Sequence, residues 1–277
     1  MTPSLRQLAQ RRQPDVLDVL LLLVFLCGIY LEIEIKVAAG VPIPSILAGV
    51  TGALMLMKHA GQIESRHLIA ILAIVFLYAV SILGTDRLDY LMERFKGVVQ
   101  ISYTLTLAYA FFLTARDFPR RYLARIFLAF TLVILLGCAL ENYTSFRDVS
   151  DAFRLRIYEH GLYESDLRDQ ILYGRVRPKF FSSEPSAVSF MFTLCAFAWY
   201  ALSAYRLKLP LYTLFVACAF ILMRGPTLML CLALVVPYAV FLAPREAFAG
   251  RMRYNAARGM IAICLSAAIV AVAVPLA

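Results

Sequence analysis

A glutamate preceded by a run of cations is the feature of this sequence best suited to chemistry. The stretch Tyr173-Gly174-Arg175-Val176-Arg177-Pro178-Lys179-Phe180-Phe181-Ser182-Ser183-Glu184-Pro185-Ser186 sets Arg175, Arg177 and Lys179 at alternate positions ahead of Glu184. Pro178 favours extended backbone before it, and alternation along an extended chain aims the three cations the same way. Converging cations suit a phosphate or pyrophosphate, because a hydrogen bond to a charged group contributes about 1.5–3 kcal/mol. At a lipid surface the same side chains would instead contact headgroups. Glu184 stands where an apolar helix opens, so its carboxylate either accepts a proton in a reaction or complements the helix dipole. Ser183 and Ser186 flank it, as caps for that helix or as hydroxyls for a substrate. Further along, Arg224-Gly225-Pro226 interrupts a second apolar stretch and adds one more cation.

The elements that must position these residues are membrane spans. The chain has 277 residues, is 62% hydrophobic and has a mean hydropathy of +0.77, more apolar sequence than a soluble surface tolerates. Apolar runs of about 17–20 residues read as transmembrane helices, and no period-2 alternation marks a barrel. The expected fold is all-α, a single polytopic helical membrane domain over 1–277. Its nine spans fall near 16–31, 43–57, 68–84, 97–115, 122–140, 186–204, 209–223, 227–243 and 258–277. All six cysteines (Cys27, Cys138, Cys195, Cys218, Cys231 and Cys264) fall inside these runs without metal-ligand spacing, which makes them packing residues. The apolar run reaching Ala277 without a polar tail reads as the N-terminal portion of a longer protein.

The net charge of +9 carries topology rather than a nucleic-acid footprint. With the N-terminus in the cytoplasm, the inner segments hold 15 Lys and Arg with 5 acids, and the outer segments hold 12 with 13, a split of +10 against −1. The one long polar segment, 141–183, then lies outside, as does Arg224. Within it Phe146, Val149, Phe153 and Ile157 recur at helical spacing, with Arg147, Asp148, Asp151 and Arg154 between them. A second short helix opens at Ser165 and closes at Gly174, with Leu167, Ile171 and Leu172 on one face. Both read as amphipathic helices in the membrane interface or packed on the bundle. His160 is the one histidine of this segment.

The cation-rich approach, the paired phenylalanines and Ser182-Ser183-Glu184-Pro185-Ser186 opening a span resemble the O-antigen polymerase and O-antigen ligase superfamily, the Wzy-type exopolysaccharide polymerases. Arg224-Gly225-Pro226-Thr227 between two spans is similar to a break that follows in the same family. Lys179 stands where many members carry glycine, and Arg224 lacks the usual preceding serine. The resemblance covers about 55 residues closely. It implies a bacterial cytoplasmic (inner) membrane location and a glycan carried on a polyprenyl pyrophosphate as donor. An acceptor hydroxyl attacks the anomeric carbon, and the lipid pyrophosphate leaves. Glu184 is then the base and Arg177 its catalytic companion, with Arg175, Lys179, Arg224, Ser183 and Ser186 binding substrate. No Asp-x-Asp pair occurs, so the expected mechanism is metal-independent and without a cofactor. Expected partners are the lipid-linked glycan, membrane lipids and other polysaccharide-assembly proteins, with no nucleic acid. Two other readings stand beside this one, a flippase or transporter for lipid-linked glycans and a non-enzymatic truncated subunit. Span centres almost free of charge disfavour transport.

Overall fold

The computed structural model describes residues 15–37, 41–83, 91–158, 163, 165–241 and 264–265. Helices dominate. They run α1 (Val16–Leu31), α2 (Ile46–Lys58), α3 (Ser65–Leu83), α4 (Leu91–Arg116), α5 (Arg120–Tyr143), α6 (Phe146–Ile157), α7 (Asp166–Tyr173), α8 (Pro185–Leu202), α9 (Lys208–Met223) and α10 (Pro226–Phe241). Eight of them overlap the first eight expected spans. The ninth expected span lies outside the described residues apart from helical Cys264 and Leu265. Among the described residues three helices, α4, α5 and α8, are long and apolar enough to cross a membrane.

The all-α class holds, with one local addition. Strands β1 (Ile35–Val37) and β2 (Val41–Ile43) form a short antiparallel hairpin between α1 and α2, with Ile35 opposite Ile43 and Val37 opposite Val41. The β-branched side chains at alternate positions favour pleated backbone over a continued helix. Pro42 opposite Lys36 is tolerated because a two-stranded ribbon has only edges.

The helices gather into two compact units, Met1–Phe118 and Pro119–Ala277. In the first, α1 packs on α2 and α4, and α4 also packs on α2 and α3. Four helix ends assigned by charge to one side of the membrane meet at one end of this unit. Lys58, at the end of α2, pairs with Asp15 and Asp18 at the start of α1, at 2.8 and 2.9 Å. Arg116, at the end of α4, donates to Gln62 Oε1 at 2.7 Å and reaches Glu64 at 3.6 Å, just before α3. In the second unit α8 is the central helix, packed on α5, α9 and α10. Its small residues Ala187 and Ala196 and its larger Val188, Met191 and Phe192 are all buried. Such a helix, apolar nearly all round, is stable only inside a bundle or a bilayer.

Candidate functional site

The loop between α7 and α8 holds the candidate residues, and its backbone is unusual before its side chains are considered. Phe180 and Phe181 sit in succession at φ 35° and 66°, left-handed positions that cost a non-glycine residue about 1–3 kcal/mol each. Such a turn persists only when its surroundings over-determine it, and here they do. Glu141, in the last turn of α5 and 5% exposed, takes the Lys179 N–H on Oε2 at 2.7 Å and the Phe180 N–H on Oε1 at 2.8 Å. Two successive backbone N–H groups closing on one anion form a nest. Ser150 Oγ accepts the Phe181 N–H at 3.0 Å, and Tyr158 Oη donates to the Phe181 carbonyl at 2.9 Å. Gly137, one turn before Glu141, leaves room for the Phe180 ring; a Cβ there would overlap it.

Arg154 completes the clamp. Its guanidinium is 1% exposed, donates from Nε to the Ser182 carbonyl at 2.8 Å and from Nη2 to the Ser183 carbonyl at 3.0 Å, and pairs with Asp151 at 2.6 Å. Phe146 and Phe153 of the expected α6 stripe pack on the Phe181 ring, with centroids 5.6 and 5.0 Å away. Val149 and Ile157 of the same stripe are exposed, and Ser150 and Arg154 are buried. Ring contacts and bonds to the 179–184 backbone together set the rotation of the helix. On α7 the expected termini hold. Gly174 closes the helix at φ 73°, and Ser165 opens it without a side-chain cap bond. Leu167, Ile171 and Leu172 share the exposed side.

Glu184 is the N-cap residue of α8 and is exposed. Its side chain accepts no helix N–H; among the described residues its hydrogen-bond donor is the Ser186 hydroxyl, on Oε1. The capping role that Ser183 or Ser186 was expected to offer is also not realised. Ser183 contributes its carbonyl to Arg154 and to the Tyr163 N–H, and Ser182 Oγ bridges the Lys179 and Glu184 carbonyls at 2.6 and 2.8 Å. The dipole of α8 therefore meets a carboxylate that no backbone group ties down.

The alternating cations separate rather than converge. Arg177 donates from its backbone N–H and from Nε to the fully buried Asp169, at 3.2 and 2.9 Å, and from Nη2 to Tyr163 Oη at 2.9 Å. Its guanidinium stacks over the Tyr163 and Tyr173 rings at 5.4 and 4.8 Å. Burial works against its charge, but the bonds to Tyr163 and Asp169 outweigh that and hold its pKa above the ordinary value. Burial, together with the hydroxyl's 2.6 Å bond to Asp169, pushes the Tyr163 phenol up as well. Lys179, 5% exposed, pairs with Asp166 at 2.7 Å. Two of the three cations thus tie the segment to α7. The sequence reading missed Asp169 and Tyr163 as partners of Arg177, and Asp166 as the partner of Lys179.

Arg175 turns the other way. It donates from Nη2 to the Ile221 carbonyl near the end of α9, and its buried Nε has no hydrogen-bond partner among the described residues. Arg224 terminates α9 in the left-handed region at φ 42° and donates to the Tyr173 carbonyl at 3.1 Å. A Cβ on Gly225 would lie 3.4 Å from Arg177 Nη1. The Arg224-Gly225-Pro226 break and the cation segment, 50 positions apart, therefore share one end of the second unit. Beside them an open cavity of ≈ 440 Å³ is lined by Glu141, Asn142, Arg147, Gln170, Arg175 and Val176. His160 lies outside the described residues. Comparison with family models, with curated proteins and with solved structures finds no match.

Proposed function

We propose that this chain acts in a bacterial inner-membrane glycan polymerase or ligase of the O-antigen type, passing a glycan from polyprenyl pyrophosphate to an acceptor hydroxyl. One observation carries the reading. An exposed carboxylate, Glu184, stands at the mouth of an apolar helix on a loop that buried groups clamp from four residues, Glu141, Ser150, Arg154 and Tyr158. A base must be held in place while remaining open to substrate, and that arrangement meets both needs. Glu184 takes the proton of the acceptor hydroxyl as its oxygen attacks the anomeric carbon. The bond from that carbon to the lipid pyrophosphate breaks, and the electron pair leaves with the phosphate. Arg224, exposed at the same end of the unit, offsets the charge that grows there. Arg177 and Lys179, expected as direct ligands, act in this account through the backbone by holding the segment on α7.

In this reading the chain has nine spans, its N-terminus lies in the cytoplasm and residues 141–183 face outward, following the charge split of +10 against −1. The test is reconstitution of the protein in vesicles with a polyprenyl-pyrophosphate oligosaccharide and EDTA. Longer glycan and released polyprenyl pyrophosphate are the expected products. Movement of the donor across the bilayer without any extension would assign the chain to transport instead.

A further inference from the structure

The cavity at the end of α5 has a chemistry of its own. Its lining holds two guanidiniums, Arg147 and Arg175, and one carboxylate, Glu141, whose two oxygens already serve the Lys179 and Phe180 N–H groups. The lining therefore carries one uncompensated positive charge. Two buried atoms of lining residues lack a hydrogen-bond partner among the described residues, Arg175 Nε and Asn142 Oδ1. One is a charged donor and the other a neutral acceptor. Asn142 Nδ2 is engaged by the Leu222 carbonyl at 3.0 Å, and Arg147 Nη2 by the Val176 carbonyl at 3.1 Å, which hold both side chains in place. A buried polar group without a partner is destabilising, so a ligand that supplies an anionic oxygen to Arg175 and a hydroxyl to Asn142 relieves both.

Location narrows the ligand. Glu141 and Asn142 are the first polar residues after the apolar body of α5, a helix long and apolar enough to cross a membrane, and Tyr143 beside them is 67% exposed. Such a helix end, with an aromatic side chain turned outward, lies at headgroup depth. We infer that this cavity binds a phospholipid headgroup made of a monoanionic phosphodiester and an adjoining hydroxyl, as in phosphatidylglycerol. The phosphodiester oxygen meets Arg175 and Arg147, and a glycerol hydroxyl donates to Asn142 Oδ1. A cavity of ≈ 440 Å³ lies within the roughly 300–1,000 Å³ usual for small-molecule sites. The ammonium of phosphatidylethanolamine would face two guanidiniums and is disfavoured. This site stands whether or not the chain transfers glycans.

The test is native mass spectrometry of the full chain in mild detergent, titrated with short-chain lipids. Phosphatidylglycerol is expected to bind about tenfold more tightly than phosphatidylethanolamine, as charge-assisted bonds allow. It should also exceed phosphatidylmethanol, which has the same charge and no hydroxyl. Arg147→Gln should abolish the first preference, and Asn142→Leu only the second. Free glycerophosphoglycerol should displace the lipid, which separates headgroup recognition from binding of the acyl chains. Equal retention of all three lipids by the unaltered protein overturns the inference without recourse to any variant. So does displacement by glucuronate but not by glycerophosphoglycerol, which would give the cavity to a carboxylated sugar.

Discussion

Residues of one charge type do two different jobs in this site, and burial separates them. Arg177 is matched to a carboxylate with no exposure at all, whereas Arg224 is exposed and bonds a single carbonyl. Removing one partner of a buried pair strands the other charge, so Asp169→Ala is expected to destabilise the fold by about 3–5 kcal/mol in denaturant unfolding. Arg224→Ala should leave unfolding within about 0.5 kcal/mol and weaken donor binding instead. A small stability loss in Asp169→Ala would show that the Arg177 pair is not structural. The sequence revealed which residues were charged and how they were spaced. Their partners stayed hidden because Asp166, Asp169 and Tyr163 meet the cations only after α7 folds back on the segment, a tertiary event with no local signature.

Helices were the most legible elements. Long apolar runs and the Gly174 stop located eight of the long helices and α7 to within about six residues, because the length of an apolar run and a left-handed stop are local properties. The rotation of α6 was legible in part. Phe146 and Phe153 of the periodic stripe do meet Phe181, whereas the bonds that Ser150 and Arg154 make to a distant loop leave no periodic trace. The hairpin after α1 was missed as well, being shorter than any window that detects alternation. The contact between α5 and the loop gives a test at this scale. Gly137→Ala raises helix propensity by up to about 1 kcal/mol but overlaps the Phe180 ring, so the net effect should be a loss of about 1–3 kcal/mol. Adding Phe180→Ala should recover the overlap term; a stabilised Gly137→Ala protein would mean that the ring does not lie against α5.

At the scale of the whole molecule, three helices among the described residues are long and apolar enough to cross a membrane. Taken separately, each unit gathers at one of its ends termini that the charge rule assigns to one side, inner for the first unit and outer for the second. Lys58 meets Asp15 and Asp18 in the first unit, and Arg224 meets Tyr173 in the second. Ser165→Cys, in an otherwise functional protein, should react with an impermeant thiol reagent applied to intact cells after outer-membrane permeabilisation. Labelling only after the inner membrane is opened would invert the topology.

The central claim concerns Glu184, and one substitution tests it most directly. Glu184→Gln preserves shape and the Ser186 contact while removing the proton acceptor, and loss of a general base lowers a rate by about 10²–10⁴. Because no helix N–H depends on this side chain, stability should change little. Glycan extension is to be followed in membranes alongside thermal unfolding of the same preparations. A fall of at least about a hundredfold in extension with unchanged unfolding is the predicted result; near-normal extension by Glu184→Gln would contradict the account.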